Sequence, residues 1–408
     1  MKGGLLLSIS TPMLSPVPKL VNAEIIASRD SSLALLAAER GTGEILSDRK
    51  ANGKERPWKT YKRLGTFLFQ LYGRAREIDE SCISPSAYFA LERCCSWLLF
   101  RRYVEGSVLK LHKADFCRHR LCPVCNWRKS LKLFSQMKEV SAQLLQDFPG
   151  ARYLFLTLTV KNCSGDELAR TIDQMNFGFK LLVNAGKNNA SAKPVKANLL
   201  GYAKAMEIKY DAEKTITKEM YAQRKKYYIA RGLKVGSANP NYGMYHPHFH
   251  VLLMVKPSFF NRGYIKQEQW AEIWQDCMNL DYTPQVDIRA IKPNKRATEE
   301  SAADAAMTAA ISETLKYPIK PDSLKLDAVE SMSEKEKDEL AEAIICLSHA
   351  MKGRRLVTFG GEILKARKAL KQDDIEKGDL VEVGDTPTIE NEYEFVLFNW
   401  MKMGCYVC

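Results

Sequence analysis

His246-Pro-His-Phe-His-Val-Leu-Leu-Met-Val255 contains three of the six histidines in this chain of 408 residues. Alternate residues of a β-strand point to the same face, so a strand here places His246, His248 and His250 together. The residues between and beyond them are mostly apolar and fit a buried face. Neutral imidazoles two positions apart suit a divalent metal ion, with carboxylate or water completing its coordination. The segment predicts a strand with one core face and one metal-binding face.

The third metal ligand is less certain from the pattern. Glu207 lies in Ala203-Lys-Ala-Met-Glu-Ile-Lys209, which has the character of a strand and precedes the histidine strand. If the two strands pair, its carboxylate reaches the same ion as His248 and His250. A solvated strand glutamate is the alternative, because pairing cannot be read from sequence. His-x-His also occurs in cupin-like barrels, and the role of His246 is open.

Further strands and helices surround these two segments. Leu154–Val160 alternates apolar residues with threonines, and Val286–Ile291 is also strand-like. Ser164 and Glu167 form a capping box at the start of an amphipathic helix. Gln267–Met278 predicts another helix. The pattern favours a mixed α and β domain.

Glu313-Thr-Leu-Lys-Tyr-Pro-Ile-Lys320 follows an alanine-rich segment that predicts a helix ending at Tyr317, since Pro318 disfavours helical geometry before it. Glu313 and Tyr317 are four residues apart and share a helix face, with Lys320 just beyond. A tyrosine oxygen can attack a phosphodiester, and a carboxylate can activate water. Without the histidines, the segment would be interpreted as an ordinary tyrosine beside a surface glutamate.

Four cysteines have spacing typical of a structural zinc site. Cys117-x4-Cys122-Pro-Val-Cys125 supplies three ligands, and Cys94 is the best candidate for the fourth, with Cys95, His112 and His119 as substitutes. Free thiols packed in a small core are the alternative. Zinc would hold a group of cationic residues as a platform facing DNA. This group, named the first basic run, consists of Arg118, Arg120, Arg128 and Lys129.

A second cationic group lies in the basic insert, Lys214–Lys234. Arg224, Lys225 and Lys226 form the second basic run, and three tyrosines lie near them. Cations attract phosphates and aromatic rings stack on unpaired bases, so this group is also predicted to bind DNA. A solvated helix face is the default alternative. At the end of the chain, Cys405–Cys408 is interpreted as a frayed tail.

Composition narrows the functional classes. The chain has 61 Lys and Arg against 48 Asp and Glu, a net charge of +13, which favours a polyanionic partner. No apolar run is long enough to span a membrane, so we expect no membrane partner. The 11 cysteines, clustered at metal-like spacing, favour reduced thiols and a cytoplasmic location.

Together the motifs resemble the replication initiators of small rolling-circle plasmids, within the HUH endonuclease superfamily. Phe155-Leu-Thr-Leu-Thr159 is similar to the family's first motif, His246–His250 to its metal motif, and Glu313-x-x-x-Tyr317-x-x-Lys320 to its nucleophile motif. The cysteine spacing and Gly353–Gly361 also look familial. The resemblance extends from about residue 60 to 370, and the basic insert departs from it.

The resemblance implies that Tyr317 nicks one strand at a double-strand origin and becomes linked to the 5′ phosphate. It also implies that Glu313 serves termination, that His248 and His250 bind Mg²⁺ or Mn²⁺, and that a host helicase and polymerase take part. A homodimer is left open. The alternatives are an HUH mobilisation relaxase, an HUH transposase and an origin-binding repressor without catalysis.

The fold expected from the resemblance is α+β, with an HUH-type antiparallel sheet that carries helices on one face. We divide the chain into a poorly ordered tail (1–55), a helical and cysteine-cluster DNA-binding region (56–148), a nickase catalytic domain (149–322) and a charged helical C-terminal region (323–408).

Overall fold

The computed structural model describes residues 43–50, 52–103, 108–186, 189–291, 307–309, 311–312, 321–384, 391–401 and 403–408. The helices are α1 (Trp58–Ile78), α2 (Pro85–Arg93), α3 (Pro123–Asp147), α4 (Gly165–Val183), α5 (Lys193–Asn198), α6 (Lys218–Gln223), α7 (Lys225–Ile229), α8 (Gln267–Met278), α9 (Glu334–Met351) and α10 (Gly361–Ala369). The strands are β1 (Trp97–Tyr103), β2 (Leu109–Ala114), β3 (Arg152–Thr159), β4 (Leu199–Tyr210), β5 (Tyr245–Val255), β6 (Val286–Ala290), β7 (Val357–Gly360), β8 (Tyr393–Trp400) and β9 (Tyr406–Val407).

A five-stranded antiparallel sheet has the histidine strand at its centre. Its strand order is β6-β3-β5-β4-β7, so β5 is hydrogen-bonded to β3 on one side and to β4 on the other. The strands and helices predicted between residues 154 and 291 are present, and the carboxylate of Glu167 accepts a hydrogen bond from the Ser164 amide at 3.3 Å as the capping box requires. The α+β class is confirmed.

Both faces of this sheet carry helices. Phe249, Val251 and Leu253 pack into a core shared with α4, α8 and α9. Leu252 and Met254, on the opposite face, pack with residues of α3 and α10. The expectation of helices on one face is therefore wrong. Beyond His250, β5 is apolar on both sides, and both sides need cover from water.

A second antiparallel sheet joins the two ends of the described chain. Its order is β2-β1-β8-β9, and Ile45 forms a bridge with Val407 at its edge. The C-terminal region contains the predicted helices, α9 and α10, but it also contains β7, β8 and β9, and Cys405 near its end is buried. The prediction of a frayed end is wrong, and the strands were missed, because β8 pairs with β1, a partner almost 300 residues away that no local pattern reveals.

Residues 1–42 of the predicted N-terminal tail, 1–55, lie outside the described residues. Contacts with the rest of the protein hold the part that begins at Gly43. Asp48 is buried, accepts a hydrogen bond from the Trp58 indole at 2.7 Å, and forms an ion pair with Arg56 at 3.2 Å. None of the helices within the described ranges combines the length and the apolar composition needed to cross a bilayer.

Candidate metal site and cationic cleft

Three buried side chains converge on the central strands. Glu207 of β4 lies directly opposite His248 of β5, because these residues are partners in the strand register. Oε2 of Glu207 is 2.9 Å from Nε2 of His250 and 3.2 Å from Nε2 of His248. The two Nε2 atoms are 3.1 Å apart. The strand pairing that the sequence left open brings the predicted ligands together.

Neighbouring groups orient both imidazole rings. Nδ1 of His248 donates to the carbonyl oxygen of His246 at 3.2 Å, so the neutral ring has Nε2 as its acceptor. Nδ1 of His250 is 3.3 Å from the hydroxyl of Thr157, and the ring stacks on Phe155 with centroids 5.5 Å apart. Such contacts fix the tautomer and direction of a metal-binding histidine. Both Nε2 atoms face the carboxylate of Glu207.

The donor set fits a divalent cation. One carboxylate oxygen and two imidazole nitrogens lie within 4.8 Å of one another, and all three residues are buried. Lone pairs of these three atoms face a common centre, and a shared cation offsets their mutual repulsion. Two imidazoles and a carboxylate form a mixed nitrogen and oxygen donor set of the kind that binds divalent metal ions. Glu207, His248 and His250 are therefore the group that could hold a metal ion at this sheet.

His246 does not belong to this group. Its Nδ1 is 2.9 Å from Oδ1 of Asn162, a residue of the loop after β3. Burial, followed by repulsion from His248 and nearby cations, lowers the pKa of His246 to about 3, so the ring is neutral. The role of Asn162 was missed from sequence, because a lone loop asparagine carries no signal of what it contacts.

A cleft of about 1220 Å³ opens at this site. Its described lining contains no carboxylate and includes Lys161, Lys209, Arg231 and the second basic run, together with His246, His248 and His250. The basic insert forms one wall, because it lies in the connection between β4 and β5, the two strands that carry Glu207, His248 and His250. Such a cleft attracts a polyanion.

The second basic run is exposed within this wall. Arg224, Lys225 and Lys226 form no ion pair with any residue of the described chain. Nearby, the guanidinium of Arg231 stacks on the ring of Tyr227, 3.9 Å from its centroid. The sequence pattern indicated the run, and the structure places it at the cleft.

The four predicted zinc ligands lie together at the start of α3. Sγ of Cys94 is 3.6 Å from the sulfurs of Cys122 and Cys125, and Cys117 is 3.6 Å from Cys125. Four thiolates at about 2.3 Å from a tetrahedral zinc ion are separated by roughly 3.8 Å. Backbone amides of residues 117, 118 and 119 donate to these sulfurs, as in metal-binding cysteine turns.

The proposed substitutes for Cys94 lie elsewhere. Cys95 is not part of the group of four, and His112 packs against Phe395 in the second sheet. His119 lies beside the hydroxyl of Tyr72, at 3.3 Å. Hydrogen bonding with Cys117 first, and then with the other two thiols, holds the pKa of Cys94 well below its usual range. The donor set is thus four cysteines.

The first basic run does not form the expected open platform. Arg128 is buried and donates to the carbonyl oxygens of Leu380 and Val381 at 2.9 and 2.7 Å, so the expectation that it faces DNA is wrong. Arg118 and Arg120 donate to carbonyl oxygens at residues 377, 378 and 351, and Arg120 also pairs with Glu376. These cations bind a C-terminal segment.

Tyr317, Glu313 and Lys320 lie outside the described residues. Ile311 and Ser323 are described residues on either side of this segment. Ile311 is buried in the core with Ala205, the strand partner of His250, and Ser323 lines a pocket that adjoins the cleft.

Comparison with known proteins identifies relatives along most of the chain. A model of the Rep_1 family, described as "Replication protein", matches residues 108–406. A "Protein rep" of Streptococcus pneumoniae is 33% identical over 345 residues, covering 84% of this chain and 88% of the relative. Another, of Bacillus amyloliquefaciens, is 34% identical over 348 residues, covering 83% and 89%.

A "Replication protein" of Staphylococcus aureus is 27% identical over 277 residues, covering 67% of this chain and 97% of the relative. No solved structure matches the chain significantly.

Proposed function

This chain belongs to the Rep_1 family of replication proteins, the rolling-circle plasmid Rep family that its motifs resemble, and we propose that it starts and ends replication by nicking one DNA strand at the double-strand origin. The observation that carries the proposal is the buried group of Glu207, His248 and His250 at a cationic cleft. A protein that only binds or represses an origin has no need of this group.

Glu207, His248 and His250 hold Mg²⁺ or Mn²⁺, which when bound polarises the scissile phosphate and offsets its developing charge. The second basic run, with Arg231, binds the phosphates of the strand that enters the cleft. The Nδ1 contacts of His248 and His250 fix the direction of both rings, so that their Nε2 atoms would be available to a bound ion. In this proposal the described residues would orient a bound metal ion and the DNA strand.

Tyr317 is the proposed nucleophile. Its phenolic oxygen loses a proton to solvent and attacks the phosphorus, the bond to the 3′ oxygen breaks, and that oxygen takes up a proton. The enzyme is then joined to the 5′ phosphate, while the free 3′ hydroxyl serves the host polymerase after a host helicase has opened the duplex. Lys320 is proposed to stabilise the phosphate charge. Glu313 takes a proton from water so that hydroxide releases the enzyme at termination.

Nicking of supercoiled plasmid bearing the candidate origin tests the proposal. We expect open circles with protein on the 5′ end when Mg²⁺ or Mn²⁺ is present, and none with a chelator. Tyr317→Phe should abolish the adduct, whereas Tyr264→Phe, at an exposed tyrosine outside the cleft, should keep it. An adduct formed by Tyr317→Phe rejects the nucleophile, and metal-independent nicking rejects the metal site.

The metal group is tested separately with Glu207→Gln and His248→Ala. Each should lose Mn²⁺ binding measured by calorimetry and lose nicking, while circular dichroism shows a folded protein. Unchanged Mn²⁺ affinity in both variants would show that the ion binds elsewhere.

We propose that Cys94, Cys117, Cys122 and Cys125 hold a structural Zn²⁺. The purified protein should contain one zinc ion per chain by elemental analysis, and Cys94→Ser should lose it and unfold at a lower temperature. Cys163→Ser is the matched control, since this cysteine is buried but outside the group. Full stability of the zinc-free protein would contradict a structural role.

A further inference from the structure

A second cavity opens off the cleft beside the metal site. It has a volume of about 350 Å³ and shares six lining residues with the cleft: Asn162, Lys209, Gln223, Arg224, Met244 and His246. Small-ligand pockets have volumes of roughly 300–1,000 Å³, so this one admits a group of modest size. A DNA duplex cannot enter it. We name this cavity the side pocket.

The lining of the side pocket is part apolar and part polar. Tyr210, Tyr228, Met220 and Met244 supply apolar surface, and Asn162, Asp211 and His246 supply hydrogen-bonding groups. The other polar and charged residues of the lining are Lys209, Glu213, Gln223, Arg224, Ser323 and Lys325. Because Nδ1 of His246 is occupied by Asn162, its Nε2 remains for another partner, and the structure gives that atom none among the described residues. Aromatic and methionine side chains suit the faces of a nucleobase, and the hydrogen-bonding groups suit its edge. The cations Lys209 and Arg224, which also line the cleft, suit the phosphate that adjoins that base.

The part of the basic insert that lines the side pocket, which we name its roof, is firmly held. Tyr228 is buried and stacks on Tyr221, with ring centroids 5.8 Å apart and planes 10° apart. The base of the insert is tied by hydrogen bonds from Asn239 to Asp211 and to the carbonyl oxygen of Glu213, both at 2.8 Å. A rigid pocket loses little conformational entropy when a ligand binds.

Ion pairs attach this roof to the body of the protein. Lys214 pairs with Glu339 of α9 at 3.2 Å, and Lys325 pairs with Glu213 at 2.9 Å. Tyr242 donates a hydrogen bond to the same Glu339 at 2.5 Å. The roof therefore keeps a fixed position over the ends of β4 and β5, which carry the metal ligands.

We propose that the side pocket binds the unpaired base of one nucleotide next to the scissile phosphate. The cationic cleft holds the backbone of the strand, and the shared lining at Arg224 and His246 lets one nucleotide turn its base out of the strand and into the pocket. Stacking and edge hydrogen bonds then fix which phosphate lies at the metal. This inference rests on the proposed function, and it makes the substrate single-stranded at the nick.

A scan with abasic sites tests the inference. The nick position is first mapped in the plasmid nicking assay. A set of single-stranded oligonucleotides that span this position is then made, each lacking one base at a different position. Binding of each oligonucleotide to the full-length protein is measured by fluorescence anisotropy. We expect about a tenfold loss of affinity at one position within two nucleotides of the nick, in line with the loss of one stacked base. Loss of other bases should have less than threefold effects.

Two tryptophan variants separate the pocket from its surroundings. Ala212→Trp fills the side pocket and should lower affinity for the intact strand by about tenfold and remove the position-specific effect. Ala230→Trp adds the same bulk at an exposed site of the insert that lines neither cavity, and should keep that effect.

The inference is overturned if no abasic position weakens binding by wild type, or if Ala212→Trp keeps the position-specific loss. Nicking by wild type under either result leaves the proposed function intact. Absence of nicking and of a 5′ adduct rejects the proposed function itself.

Discussion

The first and second basic runs differ in what surrounds their charged groups. In the first run, Arg128 is 1% exposed, donates to two backbone carbonyls and lies over the rings of Trp58 and Trp127. In the second run, Arg224, Lys225 and Lys226 are exposed at the cleft and form no ion pair with the described chain. Both runs look alike as sequence.

The surroundings of a cation indicate whether it is available to DNA. A buried guanidinium needs acceptors from its own chain, because an uncompensated buried charge is strongly destabilising. Once supplied, those acceptors hold it away from phosphates. An exposed cation without an internal acceptor keeps its hydrogen-bonding capacity for a ligand. The hydrogen-bond partners of each cation, more than its place in a basic stretch, therefore assign its role.

Arg128→Met should give the largest effect, on stability. The apolar stem is retained, but the carbonyl groups of Leu380 and Val381 lose their charged donor. We expect the free energy of unfolding to fall by about 2–4 kcal/mol, measured by denaturant titration. The folded protein should bind origin DNA with the wild-type dependence on salt. If this variant instead keeps wild-type stability and its DNA binding depends less on salt, Arg128 contacts DNA and does not stabilise the fold.

Replacing the second basic run should give the next largest effect, on DNA binding alone. In the triple variant R224Q/K225Q/K226Q we expect affinity for single-stranded origin DNA to fall roughly 30-fold at moderate salt. The slope of log affinity against log salt should become shallower by about 2, because each phosphate that a cation neutralises adds about 0.7 to it. The free energy of unfolding should change by less than about 0.5 kcal/mol, since these groups are exposed. An unchanged slope would exclude the run from the DNA path.

The central sheet was largely predictable from sequence. Alternation in β3 and β5 and the helical period of α8 are local signals, and the structure confirms the strands and helix that they predict. The pairing of β8 with β1 was not predictable, because its partner is far away in the chain and both strands are apolar runs that fit several structures. The helices on the second face of the sheet were missed for the same reason. One of them, α10, begins at residue 361, far along the chain from the central strands that it covers.

The residues of the metal group were predictable from sequence, but their arrangement in space was only partly predictable. His248 and His250 followed from a period of two, but the place of Glu207 depended on the register of β4 against β5, which sequence does not give. The hydrogen-bond partners of the cations in the first basic run also depend on tertiary contacts, so they could not be predicted from sequence. Arg128 and Leu380 are 252 positions apart, so nothing local distinguishes this arginine from one that faces solvent.

Lys129→Gln should give the smallest effect and the sharpest check on the comparison. Within the described chain, Lys129 has the fewest acceptors of the first basic run, a single hydrogen bond to the carbonyl oxygen of Arg118 at 3.2 Å. It is therefore the member with most capacity left for a phosphate. We expect the free energy of unfolding to change by less than about 0.5 kcal/mol and the salt slope of DNA binding to stay at the wild-type value. A slope shallower by about 0.7 would show that Lys129 contacts one phosphate. The boundary between structural and DNA-binding cations would then lie within the first run, between Arg128 and its immediate neighbour.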